Sequence, residues 1–306
     1  MTIRGRITIA LLMSSLILRC GEPRTESSSV EVPKRIVSTA PSVTEILFAL
    51  GLGDRVVGVT DFCDYPEAAK SLAKIGGFTN PSLEAIVALE PDLVVGSWGN
   101  PMEIVDQIQR LGIRWIGIKI HSVEDVLTAI TTVGKQTGKA EEAEQLVEGL
   151  RKRIRRITER TERLAPEQRP RVFWGGWNEP IYTAGPGSFI HNLIEMAGGR
   201  NIAGDAKQPW PRYGLETIVA ADPEVLLCGH DPEGFKTDAE ALSALRTRRG
   251  WKNVTAVKTG RVYLMRSDAF LRPGPRLVDA LEQMAATIHP EWHRRDAEDA
   301  ENTNEQ

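Results

Sequence analysis

One phrase is written twice in this chain. Residues 82–96 read SLEAIVALEPDLVVG and residues 214–228 read GLETIVAADPEVLLC, so that Leu83, Glu84, Ile86, Val87, Ala88 and Pro91 recur as Leu215, Glu216, Ile218, Val219, Ala220 and Pro223. Each copy has the apolar spacing of a short amphipathic helix, then a proline that stops it, then an apolar run of strand length. A helix–break–strand unit in both halves constrains the chain to two matching α/β lobes. Strands that alternate with helices form parallel sheets covered on both faces, so each lobe is expected to be a three-layer α/β/α sandwich. Two lobes leave a crevice between them, a preferred place for a ligand.

The rest of the chain fits this frame. RIVSTA (35–40) reads as a first strand, and Ser42 and Glu45 have capping-box spacing ahead of an apolar helix that stops at Gly51. Val56–Thr60 reads as a second strand, 101–111 as a helix and 113–119 as a strand. Between 123 and 165 Gly and Pro nearly vanish and charges take helical spacing, which predicts a helix to about 137 and a long one over about 139–164, closed by Pro166 and Pro170. The second lobe begins with a strand at 171–177. It continues through a helix near 187–197, the repeated unit, a strand at 261–265 and a final helix over about 274–288. The expected division is 1–20 signal peptide, 21–33 tether, 34–137 first lobe, 138–169 linking helix, 170–292 second lobe and 293–306 disordered tail. A single long helix as the connection resists bending, so a largely preformed cleft is expected.

Composition excludes several function classes. The 306 residues carry a net charge of -3, which supplies no basic field for nucleic acid. The Lys/Arg run at 151–163 is interleaved with Glu159 and Glu162 and reads as the wet face of the long helix. Arg4 and Arg6 precede an apolar run, Ile7–Leu18, that is short for a membrane span; Cys20 and a polar stretch follow. This resembles a bacterial lipoprotein signal with Cys20 as the lipidated residue, although Arg19 stands where that signal carries a small side chain. The remaining cysteines, Cys63 and Cys228, fall in different lobes, and no bridge between them is expected.

The residues that follow each predicted strand suggest what the crevice holds. They are Phe62, Tyr65, Phe78 and Trp98 in the first lobe, and Trp174, Trp177, Trp210 and Phe270 in the second. Loops beyond the carboxyl ends of parallel strands line the ligand crevice, and exposed aromatics there call for something to stack on. The nearby polar residues, Asn100, Asn178, Arg212, Asp268 and Arg272, suit a large, flat, amide-rich ligand better than a small anion. No glycine-rich phosphate loop opens a helix. Catalytic patterns are thin: five scattered histidines, no Gly-x-Ser-x-Gly elbow and no His-Glu-x-x-His helix. Cys228, His230 and Asp231 have ligand types for a metal, but a buried cysteine ending a strand before a polar turn explains them as well, and no metal site is assigned. Glu84 and Glu216 sit in the first turns of the repeated helices. There they either complement the helix dipole or present two corresponding carboxylates to a two-fold symmetric partner.

RIVSTAPSVTEILFALGLGDRVVGVTDFCDYP, IVALEPDLVVG, PWPR and SDAFLRPGPR resemble the periplasmic siderophore/cobalamin receptor family, and most narrowly its cobalamin-binding branch, over about residues 34–290. The resemblance implies a bilobed fold on a backbone helix and delivery of cobalamin or a related corrinoid to an ABC permease dimer. It implies an exported, monomeric protein with no catalysis and no resident cofactor, either periplasmic or held by lipid at the outer face of a membrane. It aligns Glu84 and Glu216 with permease-docking positions and Trp98, Trp210, Asp268 and Arg272 with ligand contacts. Phe78 stands where that branch has a tryptophan and Phe62 where it has a tyrosine. A cysteine pair of that branch is missing here, with Ala197 at one of its places. Two other readings stay open: a haem or iron-siderophore binder, with His230 or Tyr65 as an axial ligand, and a metal-dependent or corrinoid-processing enzyme using Cys63 and Cys228.

Overall fold

The computed structural model describes residues 32–229, 231 and 233–292. The expected signal peptide, tether up to Glu31, Cys20, His230 and the tail from residue 293 lie outside these. The first sheet holds β1 (Ile36–Ser38), β2 (Val56–Val59), β3 (Ala73–Lys74), β4 (Leu93–Ser97) and β5 (Arg114–Ile118) in the order β3-β2-β1-β4-β5, all parallel. Its central strands are apolar and buried because helices cover both faces. Three of those helices are α1 (Pro41–Ala49), α2 (Leu83–Ala88) and α3 (Met102–Arg110). The fourth, α4 (Val123–Thr137), starts where the Ser122 hydroxyl accepts the Asp125 amide at 3.1 Å and ends at Gly138, φ 73°.

The 22-residue helix α5 (Ala140–Thr161), about 33 Å long at 1.5 Å per residue, then leads from the first lobe to the second. It buries Ala143, Leu150, Ile157 and Thr161 as a narrow stripe and leaves the arginine-rich face wet.

The second sheet repeats the first with one edge strand fewer. Strands β6 (Arg171–Trp174), β8 (Arg200–Asn201), β10 (Val225–Cys228) and β11 (Val262–Leu264) run parallel in the order β11-β10-β6-β8. Between them fall β7 (Ile181–Tyr182), α6 (Phe189–Met196), β9 (Arg212–Tyr213) and α7 (Leu215–Ala221), with β7 and β9 paired antiparallel. Helices α8 (Asp238–Thr247), α9 (Thr255–Thr259) and α10 (Leu277–Ile288) complete the layers.

The written repeat is thus α2–β4 and α7–β10, and in each lobe the repeated strand lies beside the lobe's first strand, β4 on β1 and β10 on β6. The likeness extends to the backbone. Glu90 and Asp222 occupy the same register, each precedes the proline, and they are the two non-glycine residues among those described with left-handed φ, 46° and 44°. An arginine at the start of the neighbouring strand fixes each turn. Arg35 Nε donates to the carbonyls of Leu89 and Glu90, and Arg171 Nε donates to that of Asp222. The acid two residues on, Asp92 or Glu224, accepts that arginine's own backbone amide. These bonds offset a conformation that costs a non-glycine residue about 1–2 kcal/mol.

Two local expectations need correction. No capping box starts α1: the N-cap is Ala40 with no side-chain bond, and Ser42 and Glu45 lie within the helix, buried. Glu45 is instead matched to Arg276, described below. Phe270 is core, packed with its ring 5.6 Å from that of Trp174.

The end of α10 carries a pH-sensitive contact. His289 is buried, stacks on Trp292 at 4.1 Å, and its Nε2 bonds the Gly198 carbonyl at 3.2 Å. Burial holds its imidazole below the usual 6.5. The unfolded chain therefore binds more protons just below that value, so stability is complete above pH 6.5 and declines as pH falls. The loss of Tm between pH 7.5 and 5.5 is expected to be smaller in His289→Gln than in the parent; equal losses would refute this origin.

Candidate functional site

Two hollows lie at the carboxyl ends of the two sheets, and one side chain borders both. The first, about 360 Å³, is walled by Pro41, Phe62, Phe78 and Ser97 of the first lobe and by Leu271–Pro273 of the second. The second, about 460 Å³, is walled by Trp174, Tyr182, Trp210 and the 175–176 and 178–181 loop, and again by Leu271. Leu271 is exposed between them, so the hollows are the two halves of one interlobe cleft.

Aromatic rings dominate the walls. Phe62 is 61% exposed, Trp98 70% and Trp210 47%, ring faces open to stacking. Trp98 follows Ser97, which walls the first hollow, and the Lys119 ammonium lies 4.6 Å from the Trp98 ring centre. Trp210 meets Phe189 edge-on at 6.0 Å, which fixes its tilt. The tip of the Phe78 ring packs on the backbone at Gly99, where a Cβ would come within 2.4 Å of it. Trp174 does the same at Gly229, where the clearance would be 2.0 Å. A glycine in each lobe thus lets a wall ring pack against the chain.

Two of the expected contacts, Trp177 and Tyr65, sit elsewhere, and a third, Trp174, is mostly buried in the wall. Trp177 is 2% exposed and forms part of the second lobe's core, T-shaped on Trp251 at 5.8 Å. Trp174 is largely buried and contributes a wall rather than a platform. Tyr65 lines a different hollow, of about 370 Å³, enclosed by α1, α5 and the start of α10, and the Arg276 guanidinium covers its ring at 3.9 Å. Asn100 is also structural. Its Oδ1 accepts the Thr39 hydroxyl and the Ser97 amide, and its Nδ2 donates to the Thr39 and Phe78 carbonyls, which exhausts its hydrogen-bonding groups. Asn178 does line the second hollow and accepts from Arg248 at 3.0 Å; Arg212 is exposed, 3.7 Å from Glu179.

The segment 268–276 bolts the lobes together beside the cleft. Arg272 lines the first hollow and bridges Asp268, 3.2 Å away in its own lobe, and Asp64 of the first lobe, to which it donates at 3.1 Å and through a second, shorter bond. The guanidinium holds the Asp64 carboxyl below its ordinary 3.8. One turn on, Arg276 grips Glu45 with two bonds, 3.0 and 2.6 Å. Glu45 is buried, and desolvation pushes its carboxyl up from 4.5 against the pull of Arg276.

Cys63 and Cys228 are both buried. Cys63 Sγ accepts the Thr44 hydroxyl at 3.1 Å. Beyond Cys228 the Asp231 carboxylate accepts the amides of Glu233 and Phe235, the geometry of a turn rather than of a metal ligand. Among the described residues no cluster of three His, Cys, Asp or Glu side chains can hold a metal, and no helix is long and apolar enough to cross a membrane. Glu84 and Glu216 are exposed in the first turns of α2 and α7. Neither has an ion-pair partner among the described residues.

Two α/β lobes with an aromatic-walled cleft between them have the architecture of a ligand-binding protein. The family model for "periplasmic binding protein" matches residues 36–269, and the chain belongs to that family. It is 31% identical to the ABC transporter substrate-binding lipoprotein YvrC of Bacillus subtilis, over 94% of this chain and 98% of that protein. It is 28% identical to a vitamin B12-binding protein of Yersinia pseudotuberculosis, over 91% of each. Among solved structures, the periplasmic vitamin B12 binding protein BtuF of Vibrio cholerae superposes with a TM-score of 0.72 at 26% identity, covering 84% of this chain and 96% of that one. The heme-binding protein RhuT from Roseiflexus sp. RS-1 does so with 0.71 at 29%, covering 84% and 98%. The protein is therefore the substrate-binding component of an ABC transporter and not an enzyme, and it works with a permease outside the cytoplasm.

Proposed function

We propose that the protein captures cobalamin or a related corrinoid in the cleft and delivers it to the permease dimer through Glu84 and Glu216, held to the membrane by lipid on Cys20. The observation that supports the ligand assignment is the pair of exposed indoles, Trp210 lining the second hollow and Trp98 next in the chain to Ser97, which walls the first. One exposed indole in each lobe suits a flat macrocycle, which offers ring faces to stack, better than a small solute, which offers none. The combined hollows and the amide-lined loops around Asn178 suit a ring with polar side arms. Affinity would arise from buried apolar area and a preformed site. Titration with cyanocobalamin is expected to quench tryptophan fluorescence. Trp98→Ala and Trp210→Ala are each expected to weaken binding by about 10- to 30-fold, the loss of about 1.4–2 kcal/mol of stacking and burial. No heat and no spectral change at micromolar protein would refute the assignment.

A second reading, haem, is favoured by Tyr182, whose ring is exposed in the second hollow and offers a phenol as an iron ligand. A Soret shift on adding haem that disappears in Tyr182→Phe would move the assignment to haem. Tyr65 does not fill that role, because Arg276 covers it on the far side of the clamp. Anionic ferric siderophores fit least well, since Arg272 at the first hollow is already neutralised by two carboxylates.

A further inference from the structure

Strands β4 and β5 run in register, Ser97 opposite Ile118. The residue after each strand is therefore also a neighbour of its counterpart: the Trp98 amide donates to the Ile118 carbonyl at 3.0 Å, and the Lys119 ammonium comes to 4.6 Å from the Trp98 ring centre. Both side chains are exposed, and Trp98 stands between Ser97, which walls the first hollow, and Gly99, against which the wall ring of Phe78 packs. Lys119 makes no hydrogen bond or ion pair among the described residues; its contact is the indole. Three arginines that line a hollow or contact its lining residues are, by contrast, matched by acids. Arg272 has Asp64 and Asp268, Arg248 has Glu233 at 2.7 Å, and Arg212 has Glu179 at 3.7 Å.

We propose that Lys119 is a specificity-determining residue, recognising an anionic group, carboxylate or phosphate, on the rim of the ring that stacks on Trp98. The inference rests on the flat-ring reading of the cleft and names the charge that ring carries. A ring laid on Trp98 either takes the face that the ammonium covers or lies on the other face. Only on the covered face does the incoming ring displace the ammonium to its own edge. A ring with a neutral rim gains a stack but disturbs the cation–π contact and leaves the ammonium unmatched. A ring with an anion on its rim gains the stack and an ion pair. Sheet register builds the pair in advance, so its geometry does not wait for the ligand.

The test measures equilibrium binding to the full chain for two matched ligand pairs: cyanocobalamin, which carries a phosphodiester, against dicyanocobinamide, which lacks it; and haem, which carries two carboxylates, against its dimethyl ester. Lys119→Met is expected to weaken the anionic member of a pair about 10-fold and to leave the neutral member within about 2-fold, while Lys119→Arg restores most of the loss. The affinity advantage of the anionic member should shrink between 50 mM and 500 mM salt. A response confined to the corrin pair identifies phosphate as the source; one confined to the porphyrin pair identifies carboxylate. Equal losses for charged and neutral members, or no loss for either, overturn the proposal while leaving the flat-ring reading intact. Failure of all four ligands to bind the parent protein overturns both.

Discussion

Replacing Arg276 with alanine is expected to destabilise the protein by about 3–5 kcal/mol, a fall in Tm of about 5–10 °C for a chain of this size. The effect is large because of what remains. The Glu45 side chain is 2% exposed and loses both of its guanidinium bonds, and burial already disfavours its charge. The variant also uncovers the face of Tyr65. Arg276→Lys should recover only part of the loss, since an ammonium cannot reproduce the two parallel bonds. Glu45→Met combined with Arg276→Met should come closer to the parent than Arg276→Ala, because a packed apolar pair removes the unmatched charge. Chemical denaturation of the four proteins decides it. Arg276→Ala within about 1 kcal/mol of the parent would show that Glu45 finds water or another partner. The same pair joins α1 of the first lobe to the start of α10, and with Arg272–Asp64 it adds two interlobe ties to the stiffness of α5. A cleft so braced should change little in solution scattering on ligand addition in the parent, and more in Arg276→Ala.

What could be read ahead of the coordinates was whatever short stretches of chain decide by themselves. The repeated phrase specifies α2–β4 and α7–β10 because helix periodicity, a proline stop and a buried strand are all local. The long helix was legible for the same reason, as 22 residues with no proline and a single glycine, Gly149. The bilobed α/β architecture follows from these elements. Long-range pairing was not legible. Glu45 looks like the third residue of a capping box, but its partner lies 231 positions away, so only the fold reveals that it neutralises an arginine. Trp174 and Trp177 are three residues apart after one strand, yet one walls the cleft and the other fills the core against Trp251, a choice made by a residue more than seventy positions on. Tyr182 was missed because β7 exists only through pairing with β9. Lys119 was missed because its importance comes from strand register: it sits beside Trp98 only because β5 lies next to β4. Asp64 lay in plain view within DYP, but nothing local ties it to Arg272 across the cleft.

Reversing both repeat carboxylates, Glu84→Lys with Glu216→Lys, is expected to abolish transport while leaving ligand affinity and stability near those of the parent. Both residues are exposed at the first turns of α2 and α7, outside the two hollows, and neither has an internal partner to lose. The direct cost to the helices is that of an adverse charge at each amino end, about 0.3–1 kcal/mol apiece. Docking is different. In the proposed docking, a permease dimer that offers one cation twice meets one carboxylate on each lobe, because α2 and α7 are corresponding elements of the repeated unit. Each such contact, once desolvated, is worth about 2–3 kcal/mol, and the pair about 4–6, or some three to four orders of magnitude in docking affinity. Single reversals should therefore cut uptake strongly and the double reversal should reduce it to background. Uptake of labelled ligand in cells, measured beside calorimetric affinity for the purified variants, separates docking from binding. The interface assignment fails if the double variant transports normally. It also fails if transport and ligand affinity fall together, because the carboxylates would then be acting on the cleft and not on the partner.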